Sequence, residues 1–238
     1  MNRQFCLGIL GGMGPLAGTL LQRRLVEATP ARCDQDHIPV LHLCDPTVPD
    51  RTASLREDGG RAVAKRLAAH AKTLQAAGAT AIAIACHTAH AVHADVAEAV
   101  RIPVLHLPKA TARRLATRPN AAVGILATDG TLAHRIFHDA LRREGLDPIS
   151  PPAAIQKRTM DLIYGIKSSP HPTEAHAVEL VRLIERLKSQ GAAAVVLGCT
   201  ELSIHADTAA DDPAVVDPLK VIAADIVALA HEAACQPS

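Results

Sequence analysis

The strongest constraint on this chain is a stretch that occurs twice. QAAGATAIAIACHTAH (Gln75 to His90) and KSQGAAAVVLGCTELS (Lys188 to Ser203) share one plan: a helix end, a glycine, a run of small and apolar residues, then a cysteine. A short apolar run bounded in this way reads as a buried strand of a parallel sheet. Polar residues follow each cysteine at once, His87-Thr88 in one copy and Thr200-Glu201 in the other. Each strand therefore delivers a thiol to the lip of a sheet, where a helix begins on a hydroxyl cap. Gly78 to Gly191 and Cys86 to Cys199 both span 113 residues, so the chain reads as two matching halves that each hold out one thiol.

The rest of the chain fits this duplication. FCLGIL (Phe5 to Leu10) is a first strand, broken by GGMG, with Pro15 suited to the first position of a helix. AAVGILATDGT (Ala121 to Thr131) restarts the pattern, and Gly8-Ile9-Leu10 recurs as Gly124-Ile125-Leu126 at an offset of 116. Further strands are expected at Pro39 to Cys44, at Val104 to Leu107 and in AVVDP near the end. Helices are expected along Val63, Leu67, Ala71 and Leu74, along Leu132, Ile136 and Ala140 as far as Gly145, and along Leu180, Val181, Ile184 and Leu187. A last helix carries Leu219, Ile222, Ile226 and Leu229, while TMDLIYGIKSSPHP is expected to form a short helix and a mobile loop. Alternating strands and helices define an α/β chain with parallel sheets covered on both faces. The expected domains are 1–112 with the tail 213–238 folded back onto it, and 113–212. Ligands of such folds sit outside the carboxyl ends of the strands, where both thiols fall.

Several function classes are excluded at this level. The formal net charge is +1, and Phe5, Phe137 and Tyr164 are the only aromatic residues apart from histidine. Neither a basic surface nor stacking platforms exist for nucleic acid. No apolar run approaches the ~20 residues of a membrane span. The early Arg3 and the apolar patch after it resemble a signal peptide, but the patch breaks into glycines and Pro15, and strand-then-turn explains the same letters. The six cysteines have no framework spacing, which points to free thiols, a reducing compartment and hence the cytoplasm. Cys6, Cys33, Cys44 and Cys235 are read as structural.

Two sharper readings also fall. Cys86, His87 and His90 invite a zinc site, yet adjacent Cys-His suits tetrahedral ligation poorly and no fourth ligand is spaced for it. Gly12-Met13-Gly14-Pro15-Leu16-Ala17 matches the letters of a dinucleotide fingerprint, but Asp45, the acidic residue at the second strand's end, lies 33 residues from Gly12 and Pro15 is foreign to the motif. The same glycines would also let backbone N–H groups approach an anion at a helix N-terminus.

Two opposed thiols suit proton transfer at carbon. One thiolate removes a proton from one face while the other thiol returns a proton to the opposite face. A free thiol has a pKa near ~8.5, which lies in a usable range for a thiol–thiolate pair. Thr88 and Thr200 stand ready to cap the following helices or to hydrogen-bond a substrate. Arg51 precedes Cys86 by 35 residues and Lys167 precedes Cys199 by 32, one cation per half for a carboxylate substrate. Taken without that position, both would be ordinary solvated charges.

GGMGP, VPDRT, ACHTAH, LATDGT, IYGIK and LGCTEL, in this order and over essentially the whole chain, resemble the motifs of the aspartate/glutamate racemase family. The resemblance implies two Rossmann-like α/β domains related by a pseudo-repeat, a site in the inter-domain cleft, no cofactor and no metal, and a homodimer. It implies an amino-acid racemase acting on a small amino-acid or dicarboxylate substrate, aspartate before glutamate. Cys86 and Cys199 match the catalytic thiols. Arg51 and Lys167 match positions that bind the distal carboxylate, and Met13 lies in the site loop. Thr88, Thr128 and Thr200 match residues that hold the α-carboxylate and amine. Behind these, His90 is expected to orient Cys86 or cap a helix, and Glu201 to tune Cys199 or to serve as a helix-start charge.

Two departures bear on the substrate. The first cysteine motif of the family usually reads Cys-Asn-Thr, and His87 stands in place of that asparagine. Histidine is bulkier and ionises near neutral pH, so His87 is expected either to stabilise the Cys86 thiolate or to reshape the α-amino pocket. His134 and Arg135 stand where small or hydroxyl residues are usual. The rival readings are a maleate isomerase or arylmalonate-type decarboxylase using the same thiols, and a non-catalytic dicarboxylate-binding protein.

Overall fold

The computed structural model describes residues 5–117, 121–169, 171 and 173–235, without the Cys235 side chain. Arg3, that side chain, and Pro170 and Pro172 of the expected loop lie outside the described residues. The chain divides into two compact units, Met1–Leu107 with Leu219–Ser238, and Pro108–Pro218. The changeovers fall at 107/108 and 218/219, beside 112/113 and 212/213 as read from the sequence.

In the first unit the order is β1 (Leu7–Gly11), α1 (Pro15–Ala28), β2 (Val40–Cys44), α2 (Arg51–Glu57), α3 (Arg61–Ala76), β3 (Ala81–Ile84), α4 (His93–Glu98) and β4 (Val104–Leu105), with α5 (Leu107–Leu115) leading out. The strands form one parallel sheet in the order β2-β1-β3-β4, with Leu7 paired to both Val40 and Ala81. β1 and β3 are central and wholly buried, which is why their sequences are continuous apolar runs. Val63, Leu67, Ala71 and Leu74 of α3 all point inward and pack with Leu10, Ile82 and Ile84. Full burial of one such leucine contributes about 1.5–3 kcal/mol.

The second unit repeats this plan with β5 (Ala122–Ala127), α6 (Asp129–Ala133), α7 (Ile136–Arg143), β6 (Asp147–Ile149), α8 (Ala153–Ser168), α9 (Glu174–Ser189), β7 (Ala194–Gly198), α10 (Thr200–Ser203) and β8 (Val215–Val216). α11 (Pro218–Cys235) then returns the chain to the first unit. The sheet is again parallel, in the order β6-β5-β7-β8. Two four-stranded parallel sheets with helices therefore realise the expected α/β class. No helix among the described residues is long and apolar enough to cross a membrane.

The sequence repeats have a physical basis. α3 and α9 both end in a glycine with positive φ, Gly78 at 108° and Gly191 at 97°. In each, the glycine N–H returns to the carbonyl three residues back and the next N–H to the carbonyl five back, the Schellman pattern. The helix end then lies on the strand: a Cβ at Gly8 would stand 3.1 Å from Ala79, and one at Gly124 would stand 2.9 Å from Leu187. That close approach is why the Gly-Ile-Leu triplet occurs twice.

Several expectations are corrected. Leu107 opens α5 rather than ending a strand, so β4 is only two residues long. The segment along Leu132, Ile136 and Ala140 is two helices, broken where Arg135 turns left-handed at φ 52°. The short helix expected in TMDLIYGIKSSPHP is the end of a longer one, α8, 16 residues long, with Thr159, Leu162, Ile163 and Ile166 buried along one face; the rest of that stretch, from Ser169, lies beyond the helix. On α9, Leu183 takes the inward place expected for Val181, which is exposed. Leu229 is exposed as well. Cys33 and Cys44 are exposed free thiols, not core hydrophobes.

Candidate functional site

In the first unit the loops after β1, β2 and β3 converge at the carboxyl edge of the sheet, beside the point where β1 has a neighbour on each side. Ala85 donates to the carbonyl of Leu10, so Cys86 emerges next to the end of β1. Met13, Val48, Leu55, Ala89 and Cys86 share one buried cluster, with Met13 only 1 % and Cys86 5 % exposed. Arg51, at the start of α2 behind the Asp50 cap, donates from Nη2 to the Met13 carbonyl at 3.0 Å. Its Nη1 reaches the carbonyls of Val48 and Pro49. The structure thus brings Met13, Arg51, Cys86, His87, Thr88 and His90 into one unit.

The glycine-rich turn has a local explanation. Gly12 has φ 95°, and a Cβ there would collide with the backbone of Asp45 just after β2. Gly11 and Gly18 leave room for the His42 imidazole, which occupies the slot between them. Of the letters that imitate a dinucleotide fingerprint, Gly12 is accounted for by its approach to Asp45.

Behind Cys86 a 3-10 helix runs over Thr88–Val92. His87, not Thr88, occupies its N-cap position, and no side chain caps it, contrary to the hydroxyl cap expected there. His90 is buried, with Nδ1 2.9 Å from the Cys86 carbonyl and Nε2 accepting from the Leu107 N–H at 3.2 Å. Accepting at Nε2 leaves the proton on Nδ1, which donates to Cys86 and fixes the tautomer. Burial holds the His90 pKa well below the ordinary imidazole value, and the neighbouring His106, His87 and His93 push it the same way. His90 is therefore a neutral link between the strand end and the helix after β4.

In the second unit, Thr128 directly follows β5 and Cys199 directly follows β7, and Ala127 pairs with Gly198, so the two residues emerge side by side. Thr128 caps α6, accepting from the Thr131 N–H at 3.2 Å and donating to its hydroxyl at 3.0 Å. Cys199, 5 % exposed, is the N-cap residue of α10, so Thr200 is not the cap here either. The thiol donates to Oε2 of Glu201 at 2.8 Å, and Thr200 donates to the same oxygen at 3.4 Å. Lys167 stands 3.8 Å from Oε1 of that carboxylate and 5.9 Å from the centre of the Tyr164 ring. Burial, then the Glu201 charge, raise the Cys199 pKa well above the ordinary thiol value, against a smaller opposing pull from Lys167. Cys199 is held as a thiol. Thr128, Lys167, Cys199, Thr200 and Glu201 thus belong to the second unit.

Gln156 escaped sequence reading. From α8 its Nε2 donates to the Ala127 carbonyl at 3.1 Å and to Asp129 at 2.7 Å, tying the β5 edge beside Thr128. No local pattern marks it, because its place depends on α8 packing back over the strand end. Among the described residues no group of three or more His, Cys, Asp or Glu is arranged to hold a metal ion.

Two α/β units, each with a parallel sheet that ends a central strand in a buried thiol, define a duplicated α/β protein with one cysteine site in each half. Residues 10–226 match the model of the Asp/Glu/hydantoin racemase family, and the chain belongs to that family of isomerases. It is 24 % identical over 227 residues to the broad specificity amino-acid racemase RacX of Bacillus subtilis, covering 93 % of this chain and 96 % of that one. It superposes on the aspartate racemase of Picrophilus torridus with a TM-score of 0.83 at 25 % identity, over 95 % of this chain and 94 % of the other. Glutamate racemase from Francisella tularensis, solved with D-glutamate, shares the fold at a TM-score of 0.70 and 20 % identity, over 100 % of this chain and 84 % of that one.

Proposed function

We propose that this protein racemises an acidic amino acid, aspartate before glutamate, without a cofactor, by proton transfer through Cys86 and Cys199. The observation that carries the reading is the repetition of one buried thiol at the carboxyl end of the third strand in each unit, β3 and β7. In one direction the Cys86 thiolate takes the proton from the α-carbon, and the Cys199 S–H gives its proton to the opposite face. Cys86 is then the thiol and Cys199 the thiolate, ready for the reverse direction. The Cys199 thiol, held protonated beside Glu201, supports its starting role as the acid. Arg51 and Lys167 are assigned to the distal carboxylate, and Thr88, Thr128 and Thr200 to the α-carboxylate and amine. The similarity to an aspartate racemase supports aspartate as first choice. A homodimer in the cytoplasm belongs to the same proposal.

The test is proton NMR in D₂O with L- and D-aspartate and glutamate. The α-proton signal is expected to disappear as deuterium enters, with both enantiomers appearing. Cys86→Ala and Cys199→Ala are each expected to lose roughly 10²–10⁴-fold in racemisation rate. Ligand-induced stabilisation without exchange, unchanged by Cys86→Ala, would assign the site to binding alone. His87→Asn reports on the departure at that position, and unchanged rate and substrate preference would remove His87 from the specificity argument.

A further inference from the structure

The two thiol-bearing turns share a brace. Counting four residues past the cysteine gives His90 in the first unit and Ser203 in the second, both buried. His90 Nε2 accepts from the N–H of Leu107, the residue that opens α5 directly after β4 and His106. Ser203 donates at 2.7 Å to Asp217, which is 6 % exposed and stands between β8 and α11. In both units, then, the fourth residue past the thiol reaches the start of the helix by which the chain leaves, at its first residue Leu107 in one and at Asp217 just before it in the other. The chemistry differs: an imidazole on a backbone N–H in one unit, a hydroxyl on a carboxylate in the other.

We propose that His90 and Ser203 are matched positioning residues, each fixing the turn that carries its own thiol by anchoring it to the segment after the neighbouring outer strand. His90 acts most directly, since its other nitrogen holds the Cys86 carbonyl at 2.9 Å. Ser203 closes the turn that starts at Cys199, where Leu202 N–H already returns to the Cys199 carbonyl at 3.0 Å. A side chain anchored in this way, at two atoms in His90 and at one in Ser203, restricts the rotation of the thiol-bearing backbone, and misplacement of a reacting group by about 1 Å can cost ~10²-fold in rate. The mechanistic value of this brace rests on the reading of Cys86 and Cys199 as the working thiols. Its existence can be read without turnover.

The experiment follows iodoacetamide labelling of Cys86 and Cys199 separately, by mass spectrometry of their peptides, across pH. His90→Ala is expected to change the Cys86 labelling rate about fivefold or more and to leave Cys199 within about twofold; Ser203→Ala is expected to do the reverse. His90→Asn keeps a donor towards the Cys86 carbonyl but loses the Leu107 anchor, so its Cys86 labelling is expected to shift as in His90→Ala. His90→Gln reaches only towards Leu107, and it should behave like His90→Ala. The Asn and Gln pair decides the matter if the alanine variant does not fold. In active enzyme, His90→Gln and His90→Asn are each expected to lower kcat about tenfold with KM within about twofold. Labelling that changes at both thiols together, that stays unchanged at Cys86 in His90→Ala and His90→Gln, or that stays near wild type in His90→Asn, where the Leu107 anchor is gone, would overturn the proposal. Absence of α-proton exchange in the wild type would defeat the racemase reading and leave the labelling result standing.

Discussion

The Sγ of Cys199 lies 2.8 Å from Oε2 of Glu201 and donates a hydrogen bond to it, while Lys167 holds the other carboxylate oxygen at 3.8 Å. A carboxylate that accepts from a thiol favours the thiol over the thiolate, because the like charges would otherwise face each other. Glu201→Gln removes that charge and keeps an acceptor. Its expected effect is a lower Cys199 pKa, seen as faster alkylation of Cys199 near neutral pH, with Cys86 labelling unchanged. Initial rates would not reveal the change as a difference between enantiomers, since their equilibrium constant is one and their kcat/KM values must agree. Unchanged Cys199 labelling in Glu201→Gln would leave burial as the whole cause.

Two glycine substitutions separate strain from crowding. Gly12 combines φ 95° with the Asp45 backbone where a Cβ would go, so Gly12→Ala is expected to destabilise by roughly 2–6 kcal/mol. Gly78 has φ 108° but open space around that position, so Gly78→Ala should cost only about 1 kcal/mol. Urea unfolding of the two variants against wild type measures both, and equal costs would contradict the crowding at Gly12.

Acid sensitivity follows from four histidines. Burial lowers the pKa of His42, His90, His138 and His205 below the ordinary value in the folded protein. Below pH ~6.5 the unfolded chain binds protons at these positions that the folded chain refuses. Stability is therefore full above that pH and falls as pH drops through and below it. At His42, Nε2 is buried between Gly11 and Gly18 with no hydrogen-bond partner among the described residues, so protonation adds a donor with none of them to receive it. Urea midpoints measured from pH 8 to pH 5 should fall, and His42→Gln should flatten part of that slope. A flat profile in the wild type would refute the argument.

The duplicated strands were legible because burial on both faces demands continuous apolar residues, and because the helix-end glycines and strand glycines are forced by backbone geometry at Gly78, Gly191, Gly8 and Gly124. The thiol positions followed from the strands. What the letters hid depends on contacts distant in sequence. The residues of α8 read as only a short helix before a loop because Ser168, Ser169 and the prolines punctuate its end. Its helical length is supported by Thr159 and Ile163 buried on one face and by the Arg158 fork on Glu179 of α9, at 2.7 and 2.8 Å. The break at Arg135 puts a non-glycine residue in the left-handed region, which no propensity announces. Thr88 and Thr200 looked like caps by type, but the turn begins one residue earlier in each unit, at His87 and Cys199. Gln156 and the Ser203–Asp217 pair have no local signature at all.

Arg51 gives a prediction that divides two roles. Its guanidinium already ties three carbonyls, those of Met13, Val48 and Pro49, and so stiffens the loops after β1 and β2. Its Nε is buried with no hydrogen-bond partner among the described residues, so a ligand carboxylate would have to meet the outer edge of the fork. Lysine keeps the charge but offers a point donor that cannot span the three carbonyls. If Arg51 both braces the loops and holds the distal carboxylate, Arg51→Lys should lower Tm and raise KM for aspartate about tenfold, with a smaller change in kcat. Arg51→Gln should raise KM further, because the charge is lost as well. A fall in Tm with KM unchanged in both variants would confine Arg51 to the loops, and the distal carboxylate would then need another cation.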